Sequence, residues 1–217
     1  LPIYSVPAVW IDGVPVALAN TVRSGNFQFT APGLGSDFLG FIGTGMLEGE
    51  AFVLDYARHR VSVIRVTPDR QLAIAPPSPD DIRLTTPFFI WPGEQPTVAG
   101  ALGAVPLLID FDTGDEGTVY LTAATKARLQ RQQLLRPRGS AWRLAGLTIG
   151  GVAFAPVTVR VVDANGPQDF RQAGRADQLR LGAGFLASQP CLWNFPAKTL
   201  TFLKPGAAFL AGLAQRP

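Results

Sequence analysis

One spacing constrains this chain more than its composition does. The run Phe41-Ile42-Gly43-Thr44-Gly45-Met46-Leu47, followed by Phe52-Val53-Leu54-Asp55-Tyr56 and Val61-Ser62-Val63, lines up without gaps on Leu181 to Leu186, Leu192-Trp193-Asn194-Phe195 and Leu200-Thr201-Phe202 at a constant offset of 139 residues. Further upstream, Ile11-Asp12-Gly13-Val14 matches Ile149-Gly150-Gly151-Val152 at an offset of 138. Self-similarity held over more than fifty residues reads as a duplicated unit, in which each copy repeats the same order of turns and apolar runs.

The unit is a β unit. Stretches such as Val61-Ser62-Val63-Ile64-Arg65-Val66 and Thr199-Leu200-Thr201-Phe202-Leu203 alternate apolar and polar residues, and 23 Gly with 19 Pro cut the chain into short runs. One segment reads as a helix, from an N-cap at Thr122 through Ala123 to Leu134, with Pro137 after its end. Short helical turns are expected near Gly43 to Leu47 and Gly182 to Leu186. The Pro-dense stretch Ala75 to Asp81 is the natural linker. The division is therefore 1–74 as a first lobe, 75–95 as linker and connecting strand, and 96–217 as a second lobe. No apolar run approaches the ~18 residues of a membrane-crossing helix.

Several chemistries drop out early. One cysteine, Cys191, excludes an internal disulfide and a multi-thiolate zinc site, and leaves the compartment open. One histidine, His59, leaves a single imidazole base, and its setting in Tyr56-Ala57-Arg58-His59-Arg60 reads as a solvated turn. No serine lies in a nucleophile elbow. Cys191 precedes Leu192-Trp193 in an apolar run and reads as a core residue. Gly33-Leu34-Gly35 and Gly43-Thr44-Gly45 lead into neither a phosphate-loop lysine nor a dinucleotide fingerprint.

What remains is a carboxylate motif. Pro96 to Gly100 and Val105 to Phe111 read as apolar strands, and the second runs into Asp112-Thr113-Gly114. A carboxylate at the end of a core strand is held still, a Thr beside it can hydrogen-bond across a two-fold interface, and a Gly lets the loop backbone approach closely. A helix, the Gly150-Gly151 turn and Leu181-Gly182-Ala183-Gly184-Phe185-Leu186 follow in order.

This succession resembles the retropepsin-like aspartic proteases, in particular bacterial members with two tandem copies. Residues 96 to 204 carry the elements of that pattern in order, and residues 9 to 66 carry only the later ones. The chain departs from it in having Asp115-Glu116 where a small residue is usual and Asn194 where Asp is common. The resemblance implies an all-β, two-lobed pepsin- or retropepsin-like fold and an aspartic endopeptidase without cofactor or metal. Its dyad would draw on Asp112, with Thr113 orienting and Gly114 at the close approach. Two carboxylates share one proton in such a site, one activating water and the other protonating the scissile carbonyl. The sequence holds no second Asp-Thr-Gly. The repeat spacing projects it about 26 residues upstream of Leu1, so a missing upstream segment carrying the other Asp is expected as partner, in a pseudo-symmetric monomer. The alternative is an inactive peptide-binding or regulatory module of the same fold.

Between Lys126 and Arg143 stand six cations and no anion, with Trp142 beside the last. Such a run fits nucleic acid or an acidic peptide, and its plainer reading is a solvated helix face and loop. The resemblance sets this region near the substrate entrance, which makes Arg138 and Trp142 candidate substrate contacts and a peptide or protein the expected substrate, with neither nucleic acid nor membrane as partner.

Overall fold

The computed structural model describes the short strands within residues 3–23 and residues 48–90, 96–163 and 177–214. The helical turn expected near Gly43 to Leu47 lies outside them. Strands β1 (Ile3–Ser5), β2 (Val9–Ile11), β3 (Val14–Val16) and β4 (Thr21–Arg23) form two antiparallel pairs, β1 with β4 and β2 with β3. Next come β5 (Glu50–Asp55), β6 (Arg60–Arg65), β7 (Ile82–Pro87), β8 (Phe89–Ile90), β9 (Pro96–Leu102), β10 (Val105–Phe111) and β11 (Thr118–Leu121). Helix α1 (Ala123–Arg131) precedes β12 (Leu135–Arg138), β13 (Ala141–Leu144), β14 (Leu147–Ile149), β15 (Val152–Ala153), β16 (Val157–Asp163) and β17 (Gln178–Leu181). Helix α2 (Ala183–Ser188), β18 (Cys191–Asn194), β19 (Thr199–Leu203) and helix α3 (Ala208–Ala214) complete the order. The all-β class with few helices is what the sequence predicts.

Helix α1 starts as expected, with the Thr122 hydroxyl accepting from the Thr125 amide. It stops at Arg131, three residues short of the predicted end, because Gln133 turns to φ 58° and the chain leaves as β12. Helix α3 was not foreseen. Its apolar run lacks a local cap, and its first amides, of Ala208 and Phe209, donate to the carboxylate of Asp81, the residue before β7.

Two sheets carry the described body. A ten-stranded sheet runs β12-β13-β16-β11-β17-β10-β9-β14-β15 with β8 also on β9, and a five-stranded sheet runs β6-β5-β18-β19-β7. The smaller sheet is buried on both faces at its centre. Leu200, Phe202, Trp193 and Phe52 join the main core from one side, while Val53, Leu192, Ala51, Ile64 and Leu203 receive α3 on the other. All four residues of β18 are buried, as a strand between two apolar layers requires.

The smaller sheet also shows what the 139-residue spacing does in space. In the β5–β6 hairpin Phe52 faces Val63 and Leu54 faces Val61; in the β18–β19 hairpin Cys191 faces Phe202 and Trp193 faces Leu200, the same register 139 residues later. The two hairpins meet through β5 and β18, where Val53 pairs Leu192. Those two residues are themselves 139 apart, so a local two-fold axis passes through their pair. Similarly, Ile11 pairs Val14 and Ile149 pairs Val152, the same hairpin register at an offset of 138.

Candidate active site

Strand β10 lies inside the large sheet, antiparallel to β9 and parallel to β17, and Asp112 is the first residue after it. The Asp112 amide donates to the Leu181 carbonyl at 3.1 Å, which fastens the end of β10 to the end of β17. Its Oδ1 accepts from the Gly114 amide at 2.9 Å. The side chain is 29% exposed, enough for solvent to reach a carboxylate otherwise set in the sheet. Thr113 and Gly114 are exposed, and the Thr113 hydroxyl has no hydrogen bond among the described residues.

The rest of the loop is locked from below. Asp115 turns its carboxylate inward, where Oδ1 accepts from the Gly117 amide at 2.6 Å and the Thr118 hydroxyl donates to both oxygens. The residue that departs from the family pattern thus closes the loop, and only Glu116 of the acidic pair is exposed. The Asp115 carbonyl accepts from the Ala183 amide at 2.7 Å. Gly182 is obligatory here, since a Cβ would collide with that carbonyl and with the backbone of Glu116 and Gly117.

Two charged residues beside Asp112 escaped the sequence reading. Asp110 is 2% exposed on β10, and its cross-strand partner on β17 is Arg180. Arg180 donates through Nη2 and Nε to Asp110 Oδ2, at 2.8 and 3.2 Å, and its Nη1 stands 3.7 Å from Asp112 Oδ2. Asp110 Oδ1 is buried with no hydrogen-bond partner. Burial accordingly pushes the Asp110 carboxyl above the ordinary range in spite of Arg180, and the nearby Asp112 charge adds to the rise. For Arg180 burial opposes the charge, but the hydrogen bond and charge of Asp110 outweigh it and raise its pKa. The available signal was a charge inside the apolar run Leu107-Leu108-Ile109-Asp110-Phe111, which demands a partner when the strand is buried.

A third missed residue comes from the first hairpin. Tyr56, half-buried against the main core, has its phenol pKa raised by burial first, then by Cys191 and Asp112, so it lies within electrostatic reach of the loop. Cys191 is fully buried and its thiol is pushed up strongly by desolvation. His59 is exposed in the hairpin turn. A pocket of about 270 Å³ opens beside the loop, bordered by Glu116, Phe154, Phe185 and Gln189 and not by Asp112. Arg83 holds its rim, bonding Gln189 Oε1 and the Ala153 carbonyl at 2.7 Å each with its guanidinium over Phe154. Arg138 is exposed, whereas Trp142 turns toward the core with Lys126 over its ring.

No protein-family model matches the chain, and no curated protein is significantly similar to it. Solved structures similar to it include an aspartic proteinase from Irpex lacteus, at 12% identity and a TM-score of 0.42 over 76% of this chain and 58% of that one. Basic 7S globulin from soybean matches at 13% identity and a TM-score of 0.37, over 76% of this chain and 53% of that one. A retropepsin-like aspartic protease from Rickettsia conorii matches at 16% identity and a TM-score of 0.33, over 56% of this chain and 89% of that one. The chain therefore spans little more than half the length of the first two. Among the described residues no cluster of three metal-ligating side chains occurs, and no helix is long and apolar enough to cross a membrane.

Proposed function

We propose that this chain is part of an aspartic endopeptidase of the bacterial two-lobed type, with Asp112 as one carboxylate of the dyad. Residues 96–217 form the lobe that bears Asp112, residues 1–74 belong to its counterpart, and 75–95 join them. The observation that carries this reading is the two-fold pairing of the hairpins about Val53 and Leu192, because an axis there would relate the Asp112 loop to an equivalent loop and bring two carboxylates together. On this reading the repeat calls for a counterpart of Asp112 in a segment equivalent to residues 96–138.

The loop suits the chemistry. With Oδ1 held by Gly114, the Asp112 carboxylate has one oriented oxygen and one turned toward Arg180 and solvent. Facing a second carboxylate, it would share a proton, one group activating water and the other donating to the peptide carbonyl. The exposed Thr113 hydroxyl is free to bond the opposite loop.

A second reading, a peptide-binding module without chemistry, draws on Arg180, whose guanidinium already sits beside Asp112 Oδ2. A peptidase assay of the full-length protein on an unfolded substrate separates the two. Cleavage blocked by a statine-type inhibitor and reduced on the order of 10³-fold by Asp112→Asn supports the peptidase. Inertness throughout about pH 3 to 8, where carboxylate dyads titrate, favours the binding module.

A further inference from the structure

The basic run seen in the sequence divides in space, and one half makes a surface that the proposed catalytic site does not use. Arg136 on β12 faces Arg143 on β13, which faces Thr158 on β16. Arg138 and Arg160 lie two residues beyond Arg136 and Thr158, so all four arginines share one face of the sheet. The opposite face carries Leu135, Leu144 and Val159, buried in the main core together with Leu129 of α1. The four arginines are exposed, and none pairs with a carboxylate among the described residues. Arg136 bonds Gln133, and Arg138 bonds the Thr158 hydroxyl at 3.4 Å.

Like charges directly opposite each other destabilise a sheet, so Arg136 against Arg143 is a cost that an external anion would relieve. Blunting of the sheet edge accounts for Arg136, Pro137 and Arg138 on the outermost strand β12. It does not account for Arg143 and Arg160, which stand on interior strands. The same face continues from Arg160 through Thr118 and Arg180 to Asp110, all direct cross-strand partners, and so reaches the strand that ends in Asp112. Arginines two apart along a strand are about 7 Å from each other, the spacing of alternate side chains on an extended peptide. Single-stranded nucleic acid would want aromatic platforms beside the arginines, and on β12, β13 and β16 this face has Ala141 where Trp142 turns to the core.

We propose that the face of β12, β13 and β16 bearing Arg136, Arg138, Arg143 and Arg160 binds an extended acidic segment of a polypeptide, outside the bond to be cut. That the polypeptide is a substrate rests on the peptidase reading; the binding itself does not.

The test is fluorescence anisotropy on the 217-residue chain. The probe is a labelled twelve-residue peptide of alternating Glu and Ser, compared with its Gln counterpart. The acidic peptide should bind at least about ten-fold more tightly than the Gln peptide, and about ten-fold more weakly in 500 mM than in 50 mM salt. Arg143→Glu with Arg160→Glu should weaken it at least ten-fold. Arg128→Glu with Arg131→Glu, on α1, should change it less than two-fold. Arg143→Gln with Arg160→Gln, checked by circular dichroism, serves if the reversed pair does not fold.

Equal affinity for the two peptides, equal loss in the α1 variant, or tighter binding of an oligothymidylate would overturn the proposal. Peptide cleavage is read separately. In a full-length protein that supplies the second carboxylate, binding without cleavage leaves this inference standing and removes the peptidase reading, whereas cleavage with no charge-dependent binding does the reverse.

Discussion

The β5–β6 and β18–β19 hairpins are built alike and live differently. Asp55 Oδ1 accepts the amide of Arg58 at 3.2 Å, and Asn194 Oδ1 accepts that of Ala197 at 3.0 Å. His59 then takes φ 49° and Lys198 φ 53°, each donating its amide to the residue three before it. The departure at Asn194 is therefore neutral for the turn, because either side chain supplies the same acceptor. Beyond the turn the likeness ends. Leu200 and Phe202 are fully buried, with Phe202 ringed by Phe111, Phe154 and Phe185, whereas Val61 and Val63 at the matching positions are 62% and 46% exposed. Local sequence sets the geometry of a hairpin. What lies upon it sets its energetic weight.

Truncation should expose that difference most strongly. Phe202→Ala should cost about 3–5 kcal/mol in a urea melt, while Val63→Ala should stay within about 0.5 kcal/mol. Comparable costs would mean that something covers Val63 as the Phe cluster covers Phe202.

A smaller effect comes from Asp110, buried on β10. Its folded pKa is raised, so the native state keeps a proton that the unfolded chain has released. Its contribution to stability is full below the unfolded value of about 4 and is lost as pH rises through the raised folded value. Denaturant melts across that range should show the decline in the wild type and its absence in Asp110→Asn.

The smallest effect tests the likeness itself. His59→Gly and Lys198→Gly should each raise stability by a few tenths of a kcal/mol, since Gly accepts a left-handed backbone at some cost in chain entropy. Opposite signs at the two sites would show that the turns are not equivalent.

The pattern of legible and illegible features follows sequence distance. The N-cap at Thr122 and the strand before Asp112 are each written in a few adjacent residues, and the spacing of 139 in two copies of one local pattern; the structure has a helix start, a strand and matching hairpins there. Helix α3 was illegible because its cap is 127 residues away. Arg180 was illegible as a neighbour of Asp112 because parallel pairing of β10 with β17 joins positions 70 residues apart. The end of α1 was misjudged because the left-handed Gln133 stops it where good helix formers would continue.

Helix α3 also bears on the order of assembly. Asp81 holds its first amides, Arg60 donates to the Leu213 carbonyl across 153 residues, and Leu210 and Leu213 lie on Val53 and Leu192 at the two-fold axis. Each of these contacts needs the sheet to exist already, and each closes a long loop for modest gain. During synthesis, then, both hairpins leave the ribosome before the helix that seals them, and the apolar patch at their junction stays open to chaperones or to other chains until residues 208–214 arrive.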